Sequence, residues 1–364
     1  MKRYDPKYVS LRRGETVTVH DVQSFVNAAE RPMVVVEYFV GADSISIFLI
    51  SSRESQIKVL IKKVEKSWLL TCLKKYRQAV DHLSESDWSI EQREIARLVI
   101  EPIKEWTEAG DLICFVPHGP LHFIPLHALP LDDEPILLRH PIVYAPSSSV
   151  IIGLHKKQKQ TLRSCVALGV GMSAEQEESA EFSEDEIEFI KELFEGEARA
   201  VAAKYAGQVF TGSNATKKSF GEISEADVLH FSCHGYFNAA DPLSSGLLMF
   251  DGTLTARDLF GMRLRSEMVV LSACETAFSE RSLGDELIGL IRSFLYAGSR
   301  SVVASLWRVD AQSTRDLMVR FHSFVQAGHD RATALQLAQL AIADRSEYMH
   351  PYYWAPFVLV GAWK

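Results

Sequence analysis

The opening part of the chain shows apolar runs of strand length separated by short polar breaks. Met33–Val40 and Ser44–Ser51 are two such runs, and residues 57–62 form a third that follows closely. Closely spaced runs of this kind predict an antiparallel meander. Apolar residues then recur at spacings of three and four, which predicts helices over residues 67–83 and 90–109.

The end of this first half is expected to contain a further strand and a connection. Ser89 stands just before the second helical pattern and is a candidate N-cap for it. Residues 111–117 read DLICFVP, and the apolar run after the aspartate predicts a buried strand. Residues 150–160 are expected to form a connecting helix and a linker to the second half.

From residue 164 onward, strand-length and helical patterns alternate, which is typical of a parallel sheet with right-handed crossovers. The predicted class is α/β, with a mostly parallel sheet flanked by helices. An excursion over residues 246–250 and 255–260 is expected to shape a cleft. The predicted strands are residues 164–171, Gln208–Thr211, 226–233, 267–273 and 299–306, and the predicted helices are residues 187–194, 214–222, 284–297, 311–327 and Arg331–Ala343.

Two of these apolar runs end on reactive side chains. The first ends at His234 and the second at Cys274. Ligands bind beyond the carboxyl ends of the strands in an open parallel sheet, so two strands ending at the same edge would bring these residues together. A cysteine needs a nearby base to become a thiolate at neutral pH, and histidine is the usual one. The pattern therefore favours a thiol-protease dyad.

Each residue taken alone has a simpler explanation. A cysteine after a strand is more often a small buried residue, and a lone histidine more often makes a structural hydrogen bond. Cys233 should point to the face opposite His234, because side chains alternate along a strand, and should be buried. His118 also ends an apolar run, but no cysteine ends a neighbouring strand there, and Cys114 lies inside its strand. We therefore interpret His118 as a non-catalytic histidine.

The surrounding motifs are similar to those of the CHAT family, peptidases related to caspases and separase. They read SGLLMFDGTLTARDLF, VVLSACET, IRSFLYAGSRSVVASLWRVD, ALQLAQLAI and HPYYWAPFVLVG. The resemblance is strong over residues 162–364 and weaker over residues 112–150. It implies a caspase-like catalytic domain over residues 160–364. It also implies that residues 1–155 form an N-terminal α/β half resembling a non-catalytic copy of the protease fold.

The resemblance also implies roles for individual residues. His234 would act as base and then acid, and Cys274 would attack a peptide carbonyl to form a thioester acyl-enzyme. The backbone N–H groups of Gly235 and Cys274 would stabilise the oxyanion. An extended substrate would pair with the segment after a later strand, whose residues are Ser305, Leu306 and Trp307. Asp310 would either bind a basic substrate residue or cap the helix that starts at Ala311.

Composition and charge exclude several other functions. With 39 Lys and Arg against 47 Asp and Glu, the net charge of -8 argues against direct nucleic-acid binding. There is no apolar run of 18 residues and no signal-peptide pattern, so we expect a cytoplasmic protein with no membrane partner. Five widely spaced cysteines without a CxxC pair fit a reducing compartment and argue against a zinc site.

A weak dinucleotide fingerprint, GxGxxA, begins at Gly169 and includes Gly171. The acidic tract that follows, residues 175–186, would repel a pyrophosphate, so no cofactor is expected. We expect that tract to be a solvated loop before the helix over residues 187–194.

The function that these features favour is a cysteine endopeptidase acting on a protein substrate. An unregulated protease would be harmful, so an activating or sensor protein is expected. No 34-residue repeat is present, so the sensor would be a separate protein or the N-terminal half itself. The alternative is a catalytically silent CHAT scaffold that serves as a protein-interaction module, and a nucleotide-dependent enzyme has only the weak glycine pattern in its favour.

Overall fold

A computed structural model describes residues 16–81, 85–156, 162–178, 183–223, 225–238, 240–275 and 285–364 of the chain. Among these residues, thirteen strands form one sheet and two short strands form a separate hairpin, with helices packed on the sheet. This is the mostly parallel, helix-flanked α/β architecture that the alternating pattern predicts. No helix among the described residues is long and apolar enough to cross a membrane.

The strands are β1 (Met33–Val40), β2 (Ser44–Ser51), β3 (Lys58–Lys63), β4 (Leu112–Val116), β5 (Pro130–Leu131), β6 (Glu134–Pro135), β7 (Ile142–Tyr144), β8 (Cys165–Gly169), β9 (Gln208–Thr211), β10 (Val228–Tyr236), β11 (Gly246–Met249), β12 (Gly252–Thr255), β13 (Met268–Glu275), β14 (Ser301–Ser305) and β15 (Phe357–Gly361). The helices are α1 (Val19–Asn27), α2 (Lys66–Asp81), α3 (Glu85–Val99), α4 (Ser148–His155), α5 (Ala174–Glu178), α6 (Glu184–Lys204), α7 (Lys217–Glu222), α8 (Ala256–Gly261), α9 (Asp285–Ala297), α10 (Ala311–Gln326), α11 (Arg331–Ala343) and α12 (Pro351–Trp354).

The strand order of the large sheet is β12-β11-β10-β13-β14-β15-β7-β4-β1-β2-β3, with β8 and β9 attached beside β10. The central pairs β10–β13 and β13–β14 are parallel. β15 runs antiparallel to β14 but parallel to β7, and it links the strands of the two halves into one sheet. The division into residues 1–155 and 160–364 stays a prediction. The central strands β4, β8, β14 and β15 are buried along their whole length, as expected for strands covered on both faces.

The predicted meander is confirmed, because β1–β2 and β2–β3 are both antiparallel pairs. The helix expected over residues 90–109 differs from the prediction. It begins at Glu85, so Ser89 lies inside it and is not its N-cap, and it ends at Val99. A 3-10 turn containing Pro102 follows. Pro102 has no backbone N–H to donate to the carbonyl four residues earlier, so the α-helical hydrogen-bond pattern cannot continue through it.

The acidic tract is the largest departure in the second half. We expected a loop up to residue 186, but α5 covers Ala174–Glu178 and α6 begins at Glu184, while residues 179–182 lie outside the described part. Ser183 and Glu186 form a reciprocal capping box that starts α6. Acidic side chains in the first turn are stabilised by the helix dipole, so the negative charge that suggested a loop favours a helix start.

Three features near the cleft were also missed or shortened. The excursion contains a hairpin, β11–β12, rather than one strand. The strands β10 and β13 continue through His234 and Cys274 instead of ending before them. Because the two strands are longer than predicted, His234 and Cys274 both lie among the last residue pairs of the β10–β13 ladder. Regular pairing fixes their relative position more firmly than a loop would.

Candidate active site

The two predicted catalytic residues lie side by side at the carboxyl edge of the sheet. β10 and β13 are parallel neighbours, and in their register His234 is the Cα partner of Cys274. Directly opposed residues of neighbouring strands share a face of the sheet. The backbone of Cys274 is described, whereas its side chain lies outside the described part, as does Thr276. The catalytic roles of the pair therefore stay predictions.

The imidazole of His234 is oriented by a backbone carbonyl. Its Nε2 lies 3.1 Å from the oxygen of Gly171. A carbonyl only accepts hydrogen bonds, so Nε2 carries the proton and Nδ1 carries the lone pair in the neutral ring. Nδ1 is buried and has no hydrogen-bond partner among the described residues. The ring of Phe194 packs against the imidazole with centroids 4.6 Å apart.

The pKa of His234 is lowered from its usual value. Burial disfavours the charged form and is the main cause, and the nearby Arg308 guanidinium acts in the same direction. The hydrogen bond to Gly171 opposes them only in part. At neutral pH the ring is therefore uncharged, with a free lone pair on Nδ1, which is the state that a general base requires.

Gly171 belongs to the candidate site through its contact with His234, and the sequence interpretation did not include it. A Cβ at this residue would lie 2.7 Å from the Cα of Lys191 and 3.0 Å from the carbonyl oxygen of Ile190, both on α6. Gly169 makes an equally close approach, 2.8 Å from the Cα of Glu195. The two glycines of the apparent dinucleotide fingerprint let α6 pack directly across the end of β8. The sequence signal for this close contact is the two glycines, which are followed by a helical pattern.

The edge of β10 next to His234 changes partners along its length. β8 pairs with it up to Ser232, and β11 pairs with it from Gly235 onward, where Gly235 is the Cα partner of Leu247 and Glu275. The backbone of Gly235 thus lies beside that of Cys274 at the carboxyl edge. Their predicted role as oxyanion donors is not tested by this arrangement and stays a prediction.

The predicted substrate-binding segment lies beside β13. The hydroxyl of Ser305 donates to the carbonyl of Ala273 at 3.2 Å, which ties the end of β14 to the residue before Cys274. The backbone N–H of Leu306 donates to the carbonyl of Pro356 at 2.8 Å. Trp307 is 2% exposed, and its indole N–H donates to the carbonyl of Tyr352. The indole of Trp307 is therefore part of the core, and any substrate contact at this residue would involve its backbone.

Asp310 is the N-cap of α10. Its carboxylate accepts a hydrogen bond of 2.8 Å from the backbone N–H of Ser313. The same carboxylate contributes to the raised pKa of the Tyr348 hydroxyl, whose main cause is burial. Asp310 thus fulfils the capping alternative and also faces a partly buried aromatic side chain. Its role in binding a basic substrate residue stays a prediction.

The remaining cysteines are buried. Cys233 is 1% exposed, which confirms the prediction that it is a buried residue. Burial raises the pKa of the Cys165 thiol to about 12 and that of Cys114 further. Among the residues that the structure describes, no group of three or more His, Cys, Asp and Glu side chains is arranged to hold a metal ion.

The second histidine at a strand end, His118, has a structural environment. Its Nδ1 accepts a hydrogen bond of 3.1 Å from the backbone N–H of Val40. Its ring lies 4.8 Å from that of Phe39. A ring nitrogen that already accepts a backbone hydrogen bond is not available as a base, in contrast to Nδ1 of His234.

Comparison with known proteins identifies two kinds of similarity. The sequence profile of the CHAT domain matches residues 90–362. Tetratricopeptide repeat protein 28 from Mus musculus is 34% identical to this chain over 109 residues, and the Homo sapiens protein of the same name is 32% identical over 109 residues. Each match covers 30% of this chain and 4% of the relative, so the chain spans only a small part of the length of either.

A solved structure shares the architecture of this chain. A chain of the Saccharomyces cerevisiae separase-securin complex superposes with a TM-score of 0.53 at 10% identity, covering 93% of this chain and 30% of that chain. The complex of Porphyromonas gingivalis RgpB pro- and mature domains gives a TM-score of 0.47 at 9% identity, covering 82% of this chain and 77% of that chain. The first likeness shows a common fold, the caspase-like α/β fold.

Proposed function

Because the chain belongs to the CHAT-domain family, we propose that it is a cysteine endopeptidase that hydrolyses a protein substrate through His234 and Cys274. The observation that carries the proposal is the ladder register, which makes the two residues Cα partners at the carboxyl edge of the sheet. The Nδ1 of His234 supports it, because this atom is buried, has no hydrogen-bond partner among the described residues, and carries the lone pair that would accept the proton of a thiol on the neighbouring strand.

The proposed reaction is acyl transfer to the thiol. Nδ1 of His234 takes the proton of the Cys274 thiol, and the thiolate attacks the peptide carbonyl carbon to form a C–S bond. The N–H groups of Gly235 and Cys274 stabilise the oxyanion. His234 returns the proton to the nitrogen as the C–N bond breaks and the amine leaves. Water then hydrolyses the thioester, which releases the acid and restores the thiol.

The segment Ser305 to Trp307 would position the substrate by backbone pairing, and Asp310 would select a basic residue. We further propose that a partner protein controls this activity, and that the protein acts in the cytoplasm without a cofactor and without direct contact to nucleic acid or membrane. The net charge of -8 supports the last point.

The deciding experiment compares new protein N-termini in cells that express the intact chain with those in cells that express Cys274→Ala. His234→Ala and the double variant complete the set. We expect the new N-termini to vanish in both single variants, with the double variant no worse than either, because members of a dyad act as a unit. If the same N-termini persist in Cys274→Ala, the mechanism is wrong. If the intact chain generates none above the variants, the silent scaffold is favoured instead.

A further inference from the structure

The strand β3 is an open edge of the large sheet. It pairs with β2 on one side and is the terminal strand of the described sheet on the other. An edge strand presents backbone N–H and C=O groups that a further strand can pair with. β3 lies in the N-terminal half, at the end of the sheet order opposite to the β11–β12 hairpin.

One face of this edge is apolar and exposed. In the ladder Ile61 is opposite Ser46, which is opposite Phe39, and Val59 is opposite Phe48. Phe39 is 55% exposed, Val59 51% and Ile61 68%, while Phe48 is partly buried. We call these four apolar residues, Phe39, Phe48, Val59 and Ile61, the meander face. Natural sheets often protect such an edge with lysines, which oppose pairing with an unselected strand, and β3 contains three. An exposed apolar patch that spans three strands and ends at this edge is typical of a docking surface for a partner that can pair with the lysines.

The other face of the meander is covered by the protein itself. The hydroxyl of Tyr38 donates to the carbonyl of Val99 on α3 at 2.7 Å, and Ile45, Ile47 and Leu49 are fully buried. The same face of β3 carries Lys58, Leu60 and Lys62, none of which is buried. A partner strand added to β3 would therefore meet these lysines on one face and would extend the meander face on the other.

The charge of β3 restricts the partner. The strand contains Lys58, Lys62 and Lys63 and no acidic residue, and no described acidic side chain forms an ion pair with these lysines. Directly opposed like charges destabilise a pair of strands. Pairing β3 with β3 of a second copy would bring the two sets of lysines together, so a second copy is disfavoured as the occupant.

Residues 1–15 of this chain are disfavoured for the same reason. They carry five basic residues, Lys2, Arg3, Lys7, Arg12 and Arg13, against Asp5 and Glu15, which is a net charge of 5 − 2 = +3. The charge that complements β3 is negative, and period-two alternation fixes where it should lie. Acidic residues belong opposite Lys58 and Lys62, and apolar residues opposite Val59 and Ile61.

We propose that β3 is a docking edge for an extended segment of a partner protein in which acidic and apolar residues alternate, and that this segment adds a strand beside Ile61. Main-chain pairing supplies affinity, and the meander face together with the lysines supplies specificity. The strand β9 also lies at an edge of the described sheet, but it lacks this combination of exposed apolar residues and lysines. It exposes Val209 and contains no lysine.

A synthetic peptide in which Glu alternates with Val or Ile tests the proposal by fluorescence anisotropy and by hydrogen exchange of the β3 amides. We expect saturable binding with slower exchange in β3. Ile61→Asp and Lys62→Glu should each weaken binding by about tenfold or more. Val209→Asp on β9 is the matched control and should leave binding unchanged, and a peptide with Lys in place of Glu should not bind. Ile61 is exposed, so its replacement should not perturb folding, which a melting curve checks.

The proposal is overturned if the Glu peptide does not bind, if it binds the Ile61 and Lys62 variants as well as the intact chain, or if the Lys peptide binds equally. A dimer in sedimentation that Ile61→Asp dissolves would assign the edge to a second copy instead. Binding that occurs only after removal of residues 1–15 would assign it to the chain's own N-terminus. Docking does not need the thiol, so Cys274→Ala should bind the peptide equally, and a failure here is separable from a failure of the peptidase mechanism.

Discussion

His234 donates the hydrogen of its Nε2 to the carbonyl oxygen of Gly171, 3.1 Å away, and this single contact fixes the tautomer of the candidate base. The backbone of Gly171 in turn lies against α6, so closely that a Cβ there would overlap Lys191. The base of the candidate dyad is therefore positioned by a helix–strand contact that tolerates only glycine.

We predict that Gly171→Ala lowers peptidase activity by far more than its effect on stability explains. The added methyl group would push the carbonyl away from α6 and tilt the imidazole, and displacements of about 1 Å can cost about a hundredfold in rate. Gly169→Ala is the matched control, because this glycine approaches α6 as closely, whereas the imidazole of His234 donates to the carbonyl of Gly171 and not to that of Gly169. Melting curves and turnover numbers of both variants give the comparison. Equal loss of activity per degree of destabilisation in both would contradict the positioning role.

The contact between Gly171 and His234 is a part of the site that could not be predicted from the sequence. The alternation of strands and helices, and the position of His234 and Cys274 at strand ends, follow from apolar periodicity, which is a local property. The contact between Gly171 and His234 joins residues 63 positions apart. It depends on how closely α6 crosses the end of β8. The glycine repeat indicates a close approach to the backbone, but it does not show that a helix makes this approach or that His234 binds the carbonyl of Gly171.

The second prediction concerns thiol reactivity. An alkylating reagent such as iodoacetamide should label Cys274 much faster than Cys72, Cys114, Cys165 or Cys233. These four are buried, and for Cys114 and Cys165 burial also raises the thiol pKa, so little thiolate is present. Peptide mapping after timed labelling measures each rate.

The His234→Ala variant should slow the labelling of Cys274 and leave the slow rates of the other cysteines unchanged. Fast labelling of Cys233 would show that the strand faces are assigned wrongly. An unchanged rate at Cys274 in His234→Ala would show that the imidazole does not promote thiolate formation.

The third prediction is a loss of stability in acid that depends on buried histidines. Burial lowers the pKa of His127 from 6.5 to about 3, although a hydrogen bond that the ring donates to the backbone carbonyl of Ala355 opposes this in part. Above pH 6.5 the ring is neutral in both the folded and the unfolded chain, so it adds no pH dependence. Between pH 6.5 and about 3 only the unfolded chain is protonated there, so stability falls as the pH falls, by about 1.4 kcal/mol per pH unit for each such proton.

His127→Gln should remove about one proton from the uptake on unfolding in this window. Glutamine can replace the hydrogen bonds that His127 makes with Tyr144 and Gln339. The measurement is the slope of unfolding free energy against pH from denaturant titrations. An unchanged slope in His127→Gln would mean that His127 is protonated in the folded chain.

The positions of elements were predicted better than their ends, and the acidic tract shows why. Seven acidic residues between Glu175 and Glu186 are compatible with a solvated loop or with the first turns of helices. The choice is made by the capping box between Ser183 and Glu186, which is a specific pair within a run of similar residues. The hairpin β11–β12 was missed for a related reason, because its second strand is short and contains two threonines and a glycine.

The last prediction separates the two roles of Asp310 by changing its charge and its capping ability independently. Asn is as good an N-cap as Asp, so Asp310→Asn should keep the hydrogen bond to Ser313 and leave the melting temperature nearly unchanged. Asp310→Ala should lose the cap and cost about 0.5 to 2 kcal/mol of stability. If the carboxylate also binds a basic substrate residue, both variants should cleave basic-site peptides more slowly while apolar-site peptides are affected much less, because only a charged carboxylate attracts Arg or Lys there. A peptide library profiled with the intact chain and both variants, beside their melting curves, decides the question. An unchanged cleavage profile in Asp310→Asn would restrict Asp310 to capping α10.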